Sequence, residues 1–236
     1  MQVKSSKITL HVPGDDTFMN AYVAAPDDSG THPGIILLQE AFGITSHIRA
    51  VAGRIASEGY VVIAPELFHR TAPGIEFDQN NLPVVMEHVT AMKIEQQQSD
   101  LKACYAWLQQ QDNVHKNKIG SIGYCMGGRV SFIANYTLPL GACVSYYGSG
   151  IQNMTDKIKD LHGPHLFFWG GLDQHILPEH VSAVEAAMKQ GGKPYINVVI
   201  SYANHAFNND QRANYNAEAS REAWAMSMAF FKNKLQ

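Results

Sequence analysis

Gly123, Tyr124, Cys125, Met126 and Gly127 set one cysteine between two glycines, after the apolar run "KIGSIG" and before "GGRVSFIAN". This is G-x-C-x-G, the cysteine form of the G-x-S-x-G turn that delivers a nucleophile from a strand into a helix. Glycines flank such a residue because the sharp turn leaves its backbone neighbours no room for side chains. The following helix N-terminus places partial positive charge beside the sulfur and favours thiolate over thiol. Alone, the pentapeptide also describes a small buried cysteine at a glycine-rich strand end. Two further residues change the balance. Asp173 follows the run "HLFFWGG", and His205 follows "INVVISY". Nucleophile, acid and histidine occur in that chain order, which is one of the orders a catalytic triad takes. An attacking sulfur, a histidine base and an acid that fixes the tautomer suit nucleophilic acyl transfer. That chemistry needs no metal and no organic cofactor. Other histidines, including His162, His165, His175 and His180, lack the partners and spacing of a zinc site.

These side chains need rigid supports, and periodicity supplies them. "PGIILLQ", "YVVIAPE", "KIGSIGY", "ACVSYYG", "HLFFWGG" and "INVVISY" are short apolar runs bounded by glycine, proline or polar residues, as buried parallel strands are. Helical spacing falls at about 45–58, 92–110, 127–137, 178–189 and 217–231; in the second stretch Leu101, Cys104, Tyr105 and Leu108 make one apolar face. Thr45 or Ser46 suits the first helix cap, and Pro178 opens the fourth helix where its missing N–H costs nothing. Such alternation predicts an α/β fold, a mostly parallel sheet with helices on both faces. Cys125, Asp173 and His205 then lie at strand C-terminal ends, where open α/β sheets assemble their sites. The first 30 residues differ: "KSSKITLHV" and "MNAYVAAP" alternate with period two around "PGDD", predicting an antiparallel hairpin. Residues 70–89, with two prolines, a glycine and Asp/Asn punctuation, read as an excursion over a sheet edge. No repeat or low-complexity tract divides the chain, so one domain over 1–236 is expected.

Composition excludes several classes. Lys and Arg total 18 against 21 Asp and Glu, a formal charge of −3 with no basic stripe, so no nucleic-acid partner is expected. The start has no apolar core with a small-residue cleavage site, and runs such as "GIILL" are too short to span a bilayer. No membrane partner is expected. Cys104, Cys125 and Cys143 form no CxxC pair and cannot all be bridged within one chain, which points to a reducing, cytoplasmic setting. The glycosylation-like "NYT" and "NMT" are then chance matches.

From about residue 33 to 231 the chain resembles the dienelactone hydrolase family, the carboxymethylenebutenolidases. The resemblance rests on "LLQEAFGI", "APELFHR", "GYCMGG", "WGGLD" and "NHAF", with a C-terminal stretch "DQRANYNAEASREAWAMSMAFF" similar to that of many bacterial members. It implies an α/β-hydrolase fold and cysteine-dependent hydrolysis of small ester or enol-lactone bonds, with Cys125, His205 and Asp173 as triad. It also implies that Glu40 contacts the resting cysteine, helps generate the thiolate and exchanges a proton with it. Burial would suit that role, because desolvation raises a carboxyl pKa towards neutrality. The backbone N–H groups of Ala41 and Met126 form the oxyanion hole by the same resemblance, and Met126 follows from the elbow geometry as well.

The chain departs from the family at the substrate. Members acting on dienelactone hold its carboxylate with two arginines, one in the excursion after the second parallel strand and one soon after the histidine. Here "EFDQNNLPVVMEH" has no arginine; Arg212, seven residues beyond His205, and Arg70 in "LFHR" are the candidates. Guanidinium pairs give a planar recognition that asparagines cannot reproduce. Tyr124 and Phe207, with Phe42, Phe68, Tyr147 and Trp169, lie near strand ends and are candidates to line an apolar cleft. The expected partner is a small-molecule ester or lactone, and the expected state a monomer or weak dimer. A general carboxylesterase or thioesterase of the same fold is the alternative enzyme. A non-catalytic protein that binds a small ligand or partner is the alternative from another class.

Overall fold

Period-two alternation at the N-terminus folds as expected. β1 (Val3–Val12) and β2 (Thr17–Pro26) pair antiparallel from Val3 opposite Pro26 to Val12 opposite Thr17. The connecting turn carries Gly14 and Asp16 at φ +108° and +51°, the left-handed geometry that tight hairpins demand. The computed structural model describes residues 1–78 and 81–236 and divides into two units, Met1–Gly120 and Ser121–Gln236.

In the first unit β3 (His32–Leu38) and β4 (Val61–Pro65) are parallel, and β2 pairs antiparallel with β4, giving the order β1-β2-β4-β3. Both parallel strands read as unbroken Ile/Val/Leu runs because both faces are covered. Between them α1 (Ser46–Ser57) is capped by Thr45, whose side chain accepts from the Ile48 N–H. Two helices follow, α2 (Leu82–Ala91) and α3 (Ile94–Gln110). The second half of the expected excursion is therefore helical, and of α2 only Val85 is buried. Gln79, within that segment, lies outside the described residues, as does Asn80.

β5 (Val114–Tyr124) runs from the first unit into the second. There α4 (Met126–Thr137), β6 (Ala142–Tyr146), β7 (His165–Gly170), α5 (Pro178–Gln190), β8 (Tyr195–Ile200) and α6 (Ala217–Leu235) alternate. β6, β7 and β8 are parallel neighbours, and a 3₁₀ stretch, Ile151–Asp160, intervenes between β6 and β7. Helices flank a mixed, mostly parallel set of strands with an antiparallel hairpin at its start: the α/β-hydrolase fold. Among the described residues no helix is long and apolar enough to cross a membrane.

Candidate active site

Cys125 stands between β5 and α4 with φ +54° and ψ −117°, a region that a residue with a Cβ enters only when its surroundings force it. Its N–H donates to the Tyr146 carbonyl at 3.0 Å, which ties the turn to the end of β6. Its own carbonyl accepts from the N–H groups of Gly128 (2.9 Å) and Arg129 (3.4 Å), so the helix starts at once. The glycine before the turn is obligatory: a Cβ on Gly123 would lie 1.9 Å from the Gly127 carbonyl oxygen. Met126 is the first residue of α4, where backbone N–H groups have no intrahelical acceptor.

Asp173 lies just past β7, where Gly171 and Leu172 donate their N–H groups to Ile200 and Ala203. One carboxylate oxygen accepts from the N–H groups of His175 (2.7 Å) and Ile176 (3.1 Å). The other accepts from His205 Nδ1 at 2.7 Å. Burial pushes this carboxyl up, but the His205 hydrogen bond and charge, with the two N–H donors, hold it below its ordinary value.

His205 follows β8, braced by the Tyr147 ring at 5.1 Å and by the edge of the His175 ring at 5.3 Å. With Nδ1 committed to Asp173, Nε2 faces the Cys125 sulfur at 3.2 Å. Burial favours the neutral imidazole. Hydrogen bonds to Asp173 and Cys125, and their negative charges, outweigh it and raise the pKa to about 10. That balance favours the protonated imidazole facing the sulfur. Burial works the other way on the remaining thiols: Cys143 is pushed up to about 12 and Cys104 well above its ordinary value. Sequence order thus brought together the three residues expected to act as one.

The other expected positions have different surroundings. Glu40 is buried (3% exposed) and Ala41 nearly so, both on the loop after β3 in the first unit. Tyr124 and Phe207 have no exposed surface; their rings pack with Tyr146 and Tyr147 beneath His205, so they support the site from below. Arg70 donates two parallel hydrogen bonds to Asp100, at 2.9 and 2.8 Å, and a third to Asp15. That guanidinium is spent on the protein, in the loop-anchoring role that an arginine at a sheet edge can also have. Arg212 is half-buried between β8 and α6, its N–H bonded to the Asn209 carbonyl. Sequence reasoning overlooked Arg129, which directly follows the elbow stretch "GYCMGG": a cation in the first turn of the nucleophile's own helix was the available signal.

Sulfur, imidazole and carboxylate in hydrogen-bonded succession on this fold define a hydrolase of the cysteine-triad class. The chain belongs to the dienelactone hydrolase family, whose model, described as "Dienelactone hydrolase family", matches residues 19–235. A Synechocystis sp. protein named provisionally as a carboxymethylenebutenolidase is 33% identical over 251 residues, covering 100% of this chain and 99% of that one. The carboxymethylenebutenolidase of Pseudomonas sp. (strain P51) is 30% identical over 207 residues, 86% of this chain and 85% of its own. A crystal structure from Klebsiella pneumoniae, given provisionally as a dienelactone hydrolase, superposes with a TM-score of 0.90 at 29% identity, covering 98% of this chain and 99% of the other. Family and triad together make this a carboxylic ester hydrolase of the dienelactone hydrolase type.

Proposed function

We propose that hydrolysis proceeds by two acyl transfers through Cys125. The thiolate attacks the ester or lactone carbonyl, and the backbone N–H of Met126 receives the oxyanion. When the C–O bond breaks, His205 gives its proton to the departing alkoxide or enolate. Water then attacks the thioester, His205 takes the water proton, and sulfur leaves with its electron pair as thiolate. Asp173 holds the imidazole in one tautomer throughout.

The observation that carries this reading is the unbroken succession from Cys125 Sγ to His205 Nε2 (3.2 Å) and from His205 Nδ1 to Asp173 Oδ2 (2.7 Å). With p-nitrophenyl acetate, acid-quenched protein is expected to carry one acetyl group on the Cys125 peptide. Cys125→Ala should lose at least about a thousandfold in kcat/KM while still folding. Acetyl found on another residue, or turnover surviving in Cys125→Ala, would sink the mechanism.

The engagement of Arg70 by Asp100 and Asp15 favours a second reading of the substrate. Without Arg70 the expected pair does not supply a two-arginine carboxylate clamp. Neutral small esters or thioesters then become substrates on a par with anionic lactones. Three unpaired cysteines suit work in the reducing cytoplasm, as a monomer or weak dimer.

A further inference from the structure

Arg129 is a cation in an unfavourable place. It sits in the first turn of α4, four residues after Cys125, where aligned peptide dipoles disfavour positive charge. The side chain is half-buried, and that burial lowers its pKa from the ordinary arginine value. No acidic residue occupies the first turn, and among the described residues the guanidinium has no hydrogen-bond or ion-pair partner. Arg70 and Arg49, by contrast, are both paired with carboxylates. A half-buried charge with no counterion costs free energy that a neutral side chain of the same shape would not. The one charge that acts back on Arg129 is that of Cys125, which favours its protonated form.

Helical register sets Arg129 beside the turn that carries that sulfur. The Arg129 N–H donates to the Cys125 carbonyl, so the residue stacks one turn behind the nucleophile. Helical side chains lean toward the helix N-terminus and cover the turn before their own Cα. An arginine stem is long enough to span one helical pitch of about 5.4 Å. Space for it is cleared by the loop after β6. A Cβ on Gly148 would lie 3.1 Å from the Arg129 nitrogen, and one on Gly150 would lie 3.2 Å from Cδ and 3.5 Å from Nη1.

We propose that Arg129 is a positioning residue for charge on the nucleophile, its guanidinium stabilising Cys125 as thiolate. The proposal rests on the reading of Cys125 as nucleophile. It separates two functions that His205 alone would have to combine. His205 surrenders its proton to the leaving alkoxide, so its charge is absent when the thioester forms. Arginine does not deprotonate in this range, so its field persists through both steps. In the second step, as the C–S bond breaks and the water proton passes to His205, the electron pair returns to a sulfur already facing a fixed cation.

Several groups bear on the Cys125 sulfur. His205 faces it from the loop after β8, with Asp173 behind and His175 and Tyr147 against the imidazole. Arg129 and the N-terminal N–H groups of α4 act from its own helix. All but Arg129 are retained in Arg129→Gln, so a difference between the two proteins isolates this one charge.

The test is the rate of iodoacetamide alkylation at Cys125 across pH, read by peptide mass mapping in the full-length protein. Arg129→Gln should raise the midpoint of the alkylation–pH curve by about one unit, while Arg129→Lys stays close to wild type. A merely structural role would change melting temperature and leave the midpoint alone. If Arg129→Gln does not fold, Arg129→Met, which keeps the stem against Gly150, carries the same comparison. A folded neutral variant with an unchanged midpoint overturns the proposal. Alkylation needs no ester, so a wild type without esterase turnover would remove the hydrolytic mechanism and leave the Arg129 result to be judged on its own curve.

Discussion

Arg70 and Arg129 are the same side chain in opposite circumstances, and the contrast shows what a sequence displays of a site. Arg70 bonds through three guanidinium nitrogens, and the carboxylates that receive them hold its pKa above the ordinary value despite burial. Asp100, fully buried, also bonds His69 at 3.1 Å. Arg70→Ala would leave that carboxylate buried with one partner and should destabilise the fold by about 3 kcal/mol. The KM for small esters should change less than about twofold. Urea denaturation and steady-state kinetics on the same preparation check both halves; a large KM effect with unchanged stability would return Arg70 to the substrate. Its partner lies 30 residues along the chain, so no local pattern announces the pair. The triad was legible for the opposite reason. Its members are ordered, each follows a recognisable strand, and each strand ends in the glycine or polar residue that turns it.

At the scale of elements, the elbow is the place where backbone sterics decide chemistry. Cys125 keeps its strained φ because β5 and α4 meet so closely that Gly123 has no room for a methyl group. Gly123→Ala should cost about 3 kcal/mol or more if the turn holds, or relax the turn if it does not. A relaxed turn loses the 3.2 Å sulfur–imidazole contact. Expected results are a lower melting temperature and Cys125 alkylation slowed toward the rates of Cys104 and Cys143; wild-type reactivity in Gly123→Ala would show that the glycine is dispensable. The strand and helix flanking Cys125 were readable because one is a buried apolar run and the other holds helical spacing. α2 was not. Its Leu82, Val84 and Met86 are exposed and only Val85 is buried, so no single apolar stripe marks a helix, and Pro83 reads as loop punctuation. The ten-residue 3₁₀ stretch after β6 was missed as well, although Ile151, Met154 and Ile158 space one buried face along it.

For the molecule as a whole, switching between two periodicities made the fold class legible, whereas the polar wiring of the core was not. His165, read only as a non-ligand, is fully buried in β7. Its Nδ1 accepts from Asn135 at 3.1 Å, and its Nε2 donates to Ser145 at 2.8 Å. Ser145 in turn donates to the Gly128 carbonyl at 2.6 Å, three residues beyond the nucleophile. The chain thus pins both ends of α4 to β6 and β7 through a neutral imidazole, and burial alone holds that imidazole's pKa down to about 3. An unfolded histidine takes a proton near pH 6.5. Between about 6.5 and 3 the unfolded chain therefore binds one more proton at this site, and stability falls as pH falls through that window by about 1.4 kcal/mol per unit. His205 contributes the opposite limb. Its folded pKa of about 10 lies above the unfolded value, so its stabilisation is complete below 6.5 and is lost as pH rises toward 10. Stability from these two residues peaks near neutrality, with a different histidine in charge on each side. Urea midpoints measured from pH 5 to 9 should show His165→Gln less stable at neutral pH but with a flatter acid limb. His205→Gln should leave the acid limb intact and flatten the alkaline one. Parallel acid limbs in wild type and His165→Gln would mean that the buried imidazole is not the group protonated on unfolding.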